Sequence, residues 1–523
     1  MKTLSLRTVL LHLVILILIF QPISLGYTKR MLKNQHVRGR QNLIIDKRTI
    51  NESPDFGQCD DIAIIGAGIA GTYAAWRLRQ QNKRISIYEY SNRVGGRMYT
   101  VQFPEIPGIN VELGGMRYLR RSHALLHETI QQLGLRIKRF DLGSGPSPDT
   151  TVNVRGVHLR FDELGGNKTP YRLLPNERKP VNQLLCTQSY YHKYLSAEAQ
   201  HYIRDTGGFD SLHGEIVASF AVRTSPPSNS SNDVLTVATG FASIPIKLLQ
   251  RFLRASIRHS IKLNHDLKGI RKRGDGYYNL FFEPTITRSS TTWTPRPATL
   301  KMKCAKQVIL ATNRFSLEKL DWKGLYQPRI REYLTKSVKD IPAAKLYFSY
   351  DYPWWRRSPV YSDYIISDTP LRQTYDFGTS KLNPPKSVLQ AMYMDNNAPY
   401  WEELFDRGNV NEPNGHFVLM GKEFVQVTHK YLADIYKLPV RNIPPPTKAA
   451  AYLWKNYPYG GAWQIWMPGY IWPTVEREMT KPSVNDEVYV VSNAFNARSF
   501  SFWSNAALQS VELAMPYFGL KPK

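Results

Sequence analysis

The chain has 523 residues, 42% of them hydrophobic and 21% charged. That length supports two domains with substantial cores, and that balance excludes a disordered or collagen-like chain. The formal net charge of +27 favours anionic surfaces such as microbial envelopes, but the positive residues are scattered without a long Lys/Arg block, so no specific nucleic-acid partner is expected.

Residues 1–26 read as a secretory signal peptide. Lys2 and Arg7 form its charged end, residues 9–20 its apolar core, and Ser24 and Gly26 the small residues before a cut at Tyr27. The core is short for a membrane span, and no later segment reads as a transmembrane helix. Residues 27–58 form a basic leader; a flexible lead, a removed pro-segment and a docked arm all fit it. Export would put Cys59, Cys186 and Cys304 in an oxidising compartment, where two can pair and one is left over. The sequence does not choose the pair, and the spacings suit no metal site. Asn51, Asn167 and Asn229 open glycosylation sequons, the first two weakened by a following proline.

The next stretch organises the chain. Residues 61–65 have the branched apolar pattern of a buried parallel strand. Gly66, Gly68 and Gly71 follow at G-x-G-x-x-G spacing, a helix is expected over 69–81, a second strand over 84–88, and Glu89 stands at its end. Gly66 permits a tight turn, Gly68 lets the backbone approach a pyrophosphate, and Gly71 lets helix and strand pack closely. The helix N-terminus offers N–H groups to phosphates, and Glu89 lies where a carboxylate accepts from ribose hydroxyls. The fingerprint alone does not choose between NAD and FAD.

Arg93-Val94-Gly95-Gly96-Arg97 and Gly114-Gly115-Met116-Arg117 extend the pattern. Together they resemble the flavin amine oxidase superfamily, and within it the L-amino-acid oxidase branch, nearest to a secreted molluscan group. The resemblance covers roughly 59–515. It implies a Rossmann-type, doubly wound α/β domain for noncovalent FAD, built from discontinuous segments (59–120, 236–318 and 485–523). An α+β substrate domain would take 121–235 and 319–484. The implied cofactor residues are Gly66, Gly68, Ile69, Ala70, Gly71, Glu89, Tyr90, Gly96, Arg97, Gly114, Gly115, Met116, Arg117, Leu267 and Asn493.

Further along, a helix is expected over 122–133 with Ser122 as its cap and Gly134 as its stop. Residues 235–245 resemble the family segment that returns the chain to the flavin domain, and a helix over 246–259 would follow. Strands are read at 261–270 and 276–283, a polar insertion at 285–297, and a buried strand at 307–312.

Four residues are expected to carry chemistry. By the resemblance Arg117 holds a substrate carboxylate through a bidentate guanidinium fork, and Tyr375 shares that carboxylate. The alternative for Arg117 is an ion pair with Glu112 or Asp141, and for Tyr375 a core position. Lys345 lies inside an apolar strand, where a lysine is costly to bury without a partner. The resemblance gives it a water beside flavin N5; the alternative is a side chain that snorkels to the surface. Trp503 would form an aromatic wall, and Trp454 with residues 457–463 would close the pocket, leaving it roomy at Ala462. Ser492-Asn493 departs from the family's G-E or G-D pair, and the family's pocket histidine has no counterpart in the sequence.

The sequence therefore predicts a secreted, FAD-dependent L-amino-acid oxidase that uses oxygen, forms 2-oxo acids, ammonia and hydrogen peroxide, and serves antimicrobial defence. The rivals are an oxidase of simple amines or polyamines, and a degenerate flavoprotein that binds microbial surfaces.

Overall fold

The strand Asp60–Ile65 lies inside a seven-stranded sheet, parallel to Ile85–Tyr88 on one side and to Lys301–Leu310 on the other. The structure is a computed structural model, and it describes residues 58–140, 150–178, 195–213, 234–288, 291–295, 299–395, 398–406, 410–411, 418–419, 421–496 and 503–523. The signal peptide, nearly all of the basic leader, Cys186, Asp141 and the Asn51 and Asn229 sequons lie outside the described residues.

Side-chain alternation along the central strand builds two cores. Ile62 and Ile64 join Ile85 and Ile87 on one face, under the helices Ile69–Leu78, Ser243–Ala255 and Ser504–Ala514. Ala63 and Ile65 face the opposite core with Tyr88, Leu280 and Val308. A sheet buried on both faces needs apolar residues at consecutive positions, which is why these strands read as unbroken apolar runs.

On its other edge the long strand Lys301–Leu310 serves two further partners. Its first half pairs antiparallel with Tyr278–Pro284, and its second half pairs parallel with Val488–Val490. Cys59 and Cys304 form a disulfide beside the Asp60–Ala305 pair, tying the first strand to this one. A second, nine-stranded sheet includes Ala343–Tyr350, Ser387–Asp395, Gln373–Thr379, Tyr364–Ser367 and Thr150–Val154. Both sheets lie in one compact unit, Ile45–Lys523.

Several expected boundaries move. Residues 261–270 do not form one strand: His259–Lys262 pairs parallel with Ile85–Tyr88, the chain turns at Asn264 (φ 59°), and His265–Lys272 starts a hairpin with Tyr278–Pro284. The helix expected over 246–259 is Ser243–Ala255, because Pro245 is tolerated in its first turn. The helix expected over 122–133 is Ala124–Gln132, with His123 rather than Ser122 at its N-cap; Gly134 follows at φ 66°, as its stop role requires. The polar insertion contains a small hairpin, Ile286–Arg288 with Thr291–Trp293.

Candidate active site

One cavity runs from the carboxyl end of the central strands to the second sheet. At the strand end the three glycines do different work. Gly66 adopts φ 106°, and a Cβ there would come within 2.5 Å of Ala311 O. Gly71 is the close-packing position: its Cβ would meet Gly66 O at 1.9 Å. Gly68 precedes the helix Ile69–Leu78, and its Cβ would have no atom within 4 Å, so it borders open cavity. Such clearance beside a helix N-terminus suits a pyrophosphate.

Glu89 is buried at the end of the second strand. Its Oε2 accepts the Ala67 N–H at 2.7 Å, and its Oε1 accepts from the Ser91 N–H at 2.9 Å and the Ser91 hydroxyl at 2.8 Å. It thereby ties down the glycine turn while still lining the cavity. Gly96 sits against that turn, since its Cβ would lie 3.3 Å from Gly68 Cα. Arg97 follows. Its guanidinium donates to Ala462 O at 2.7 Å, to Gln464 Oε1 at 3.4 Å and to Asn493 Oδ1. Burial pushes its pKa down to about 10, against the field of Asp340. Its hydrogen-bond partners are all neutral oxygens, which leaves the cation available to an anion in the cavity.

The segment 113–117 crosses the cavity. A Cβ on Gly114 would strike Arg97 O at 1.9 Å, so this chain crossing requires glycine. Lys345 approaches the same segment from the strand Ala343–Tyr350. It is 4% exposed and donates to Gly114 O at 2.6 Å and Glu112 O at 3.2 Å, with its ammonium 4.7 Å from the centre of the Tyr393 ring. It does not snorkel to the surface. Burial pushes Lys345 down to about 7; Glu112 opposes that shift and Arg117 adds to it. Burial likewise pushes Glu112 up to about 7, against its bonds from the Thr100 hydroxyl and the Phe241 N–H.

Arg117 is half-buried on the cavity wall, with its guanidinium carbon 5.4 Å from the centre of the Phe140 ring. Burial works against its charge, but the hydroxyls of Tyr375, Tyr364 and Tyr393 outweigh burial and raise its pKa. The Glu112 carboxylate spends its oxygens on Thr100 and Phe241, so it is not the expected ion-pair partner. Tyr375 needs a correction. It is fully buried, stacks on Tyr364 at 4.4 Å, and donates to Gln373 Oε1 at 2.6 Å. Its hydroxyl hydrogen-bonds Arg117, and it is not among the residues that line the cavity. Of the three tyrosines that act on Arg117, Tyr393 lines the cavity.

Trp503 lines the cavity and meets His123 edge-on at 5.8 Å. Trp454 donates its indole N–H to Leu113 O at 2.7 Å and packs edge-on against Tyr459 at 4.8 Å. Of the expected site residues, all but Gly71 and Tyr375 line this one cavity. Sequence reasoning missed Phe209, Tyr393 and Asp395, which carry no local motif, and His265, which reaches the cavity on the same strand as Leu267.

Residues 69–482 match the family described as flavin containing amine oxidoreductase. The chain belongs to that family. It is 31% identical to Aplysianin-A of Aplysia kurodai, covering 89% of this chain and 91% of that one. It is 27% identical to Achacin of Lissachatina fulica, over 89% and 94% of the two chains. The L-amino-acid oxidase of Mus musculus is 24% identical over 60% of this chain and 50% of its own. The fold resembles cyclohexylamine oxidase from Brevibacterium oxydans IH-35A, with a TM-score of 0.62, 18% identity, and coverage of 88% and 98%. A putrescine oxidase double mutant gives a TM-score of 0.59 at 16% identity, covering 88% and 99%.

The protein is an FAD-dependent amine oxidoreductase, and the residues present fit FAD. Gly68 leaves clearance for phosphates, Arg97 supplies a cation, and Glu89 stands at the strand end where ribose hydroxyls are held. No described helix is long and apolar enough to cross a membrane.

Proposed function

We propose that this oxidase acts on L-amino acids, that it is secreted, and that its peroxide serves antimicrobial defence. The observation that carries the substrate reading is Arg117, a half-buried guanidinium on the wall of the cavity that Lys345 also lines. A planar guanidinium can take a carboxylate through two parallel hydrogen bonds, which fixes the substrate's orientation as well as its charge. A guanidinium stays cationic at working pH even when buried, and the Tyr375 hydroxyl hydrogen-bonds this one.

FAD, held by the glycine turn, Glu89 and Arg97, would supply the two-electron acceptor, with oxygen as the final oxidant and hydrogen peroxide as its product. The protein's residues supply binding, orientation and proton control. With Arg117 gripping the carboxylate, Cα of the substrate is set at a fixed distance from that anchor. Burial lowers the pKa of Lys345, which makes its amine a better proton acceptor than a surface lysine, and its N–H groups can position a water by hydrogen bonding. Trp454, Tyr459 and Trp503 give the same cavity aromatic walls. The amino acid gives up two electrons and two protons, and water hydrolyses the resulting imino acid to a 2-oxo acid and ammonia.

Secretion is supported by the charged and apolar pattern of residues 1–26 and by the Cys59–Cys304 disulfide, since disulfides persist in oxidising compartments. The +27 charge favours anionic microbial surfaces, where locally released peroxide does most damage. Peroxide release with matched panels of L-amino acids, D-amino acids and polyamines tests the substrate reading. Turnover confined to L-amino acids is the expected result; turnover only with carboxylate-free amines, or none by an FAD-loaded protein, contradicts it.

A further inference from the structure

A chain of side chains runs from the cavity to a carboxylate outside it. Asn493 Oδ1 accepts from Arg97, and Asn493 Nδ2 donates to Gln464 Oε1 at 2.9 Å. Gln464 Nε2 then donates to Asp340 Oδ1 at 2.9 Å. Arg314 holds the other oxygen, Asp340 Oδ2, at 2.7–2.8 Å. Asp340 and Gln464 are cross-strand neighbours in the two-stranded sheet of Val338–Ile341 and Trp463–Trp466, so the backbone fixes their approach.

The direction of this chain follows from chemistry. An ionised carboxylate only accepts hydrogen bonds, whereas an amide has an accepting oxygen and a donating nitrogen. Asp340 therefore draws the nitrogen of Gln464, which turns the Gln464 oxygen towards Asn493. That oxygen draws the nitrogen of Asn493, which turns the Asn493 oxygen towards Arg97. The two amides thus both present acceptors to the guanidinium, Asn493 Oδ1 and, at 3.4 Å, Gln464 Oε1, with the formal negative charge of Asp340 held at least one side chain away. Ser492, the other half of the departure from the G-E pattern, accepts the Ala494 N–H at 3.3 Å and so caps the turn that carries Asn493.

We infer that Asp340 and Gln464 are positioning residues for FAD: they orient Asn493 so that Arg97 is held towards the cofactor's anionic portion without being neutralised by a directly bonded acid. A carboxylate at position 493 would pair with Arg97 and compete with the pyrophosphate for it. The amide relay fixes the same guanidinium and leaves its charge to the cofactor. This inference concerns cofactor binding and is independent of which amine the oxidase consumes.

The test is the Kd of the full-length apoprotein for FAD, read by quenching of flavin fluorescence, with the apoprotein melting temperature measured in parallel. Asp340→Asn keeps the shape but lets both amides turn over. It should weaken FAD by about ten-fold, the scale of one lost, well-oriented hydrogen bond. Gln464→Leu leaves the Asp340–Arg314 pair intact and should cost about as much, so the test survives if the first variant folds poorly. In an Asn493→Asp background Arg97 has its own carboxylate, so adding Asp340→Asn should change the Kd by less than about two-fold. Unchanged FAD affinity in both single variants overturns the inference. So does a loss from Asp340→Asn that persists undiminished in the Asn493→Asp background, because Asp340 would then be acting only on the fold.

Discussion

Lys345→Met separates what this lysine costs the fold from what it does in the site. The displacement of its pKa from 10.5 to about 7 corresponds to about 4 kcal/mol of destabilisation at neutral pH. Methionine removes that penalty with little change in volume. Against it stands the loss of hydrogen bonds: Glu112 O keeps the Tyr347 hydroxyl at 2.9 Å, but Gly114 O loses its Lys345 donor, at a cost of about 1–3 kcal/mol. Buried Glu112 also loses its neighbouring cation, which offsets part of the gain, so the variant should be more stable than wild type at pH 7 by no more than about 1–3 kcal/mol. The sign with pH follows. Between about 7 and 10.5 the unfolded state binds the proton that folded Lys345 has lost, so this lysine makes wild-type stability rise with pH there, and the variant should lack that rise. Urea unfolding of both proteins at about pH 7 and about pH 10 measures it. Rapid-mixing measurements on the FAD-loaded variant should show one flavin half-reaction slowed, with FAD still bound. A variant less stable at pH 7 with an unchanged pH slope, and with both half-reactions at wild-type rates, would refute the reasoning.

Gly68→Val should fold and lose FAD, because its Cβ meets nothing within 4 Å, whereas Gly71→Ala should lose the fold itself, because its Cβ would lie 1.9 Å from Gly66 O; melting curves and flavin content of the two variants separate these outcomes. Tyr375→Phe deletes a hydroxyl that hydrogen-bonds Arg117, so KM for an L-amino acid should rise by about ten-fold or less with kcat nearly kept. A large fall in kcat would place that hydroxyl on the reacting groups. Tyr393→Phe, on the cavity wall, serves as the comparison in the same steady-state assay.

The parts of the site that could be read from sequence were those with short-range logic. Gly66, Gly68, Gly71 and Glu89 sit on consecutive elements, and each spacing has a local geometric reason. Lys345 stood out because a charge inside an apolar strand must be explained. Long-range pairing was less accessible: nothing local says that His259–Lys262 joins the parallel strands while His265–Lys272 turns into a hairpin, and the break depends on the φ of Asn264. Tyr375 and Tyr393 show the same limit. They lie on neighbouring antiparallel strands, and which of them reaches the cavity depends on irregularities in that pairing, including a register shift between Gln373 and Tyr375. Ser492-Asn493 was legible as a departure, but what compensates for it, Gln464 and Asp340, comes from a different sheet.

The measurement closest to the central claim compares Arg117→Ala with wild type on an L-amino acid and on an amine without a carboxylate. Truncating one partner of a buried, hydrogen-bonded charge pair costs about 2–5 kcal/mol. At about 1.4 kcal/mol per factor of ten, kcat/KM for the L-amino acid should fall by about thirty-fold to several thousand-fold, and Arg117→Lys should recover only part of it. The carboxylate-free amine should lose little, and FAD content should stay near wild type. Equal losses on both substrates, or loss of FAD from the variant, would contradict the account and leave Arg117 a structural residue.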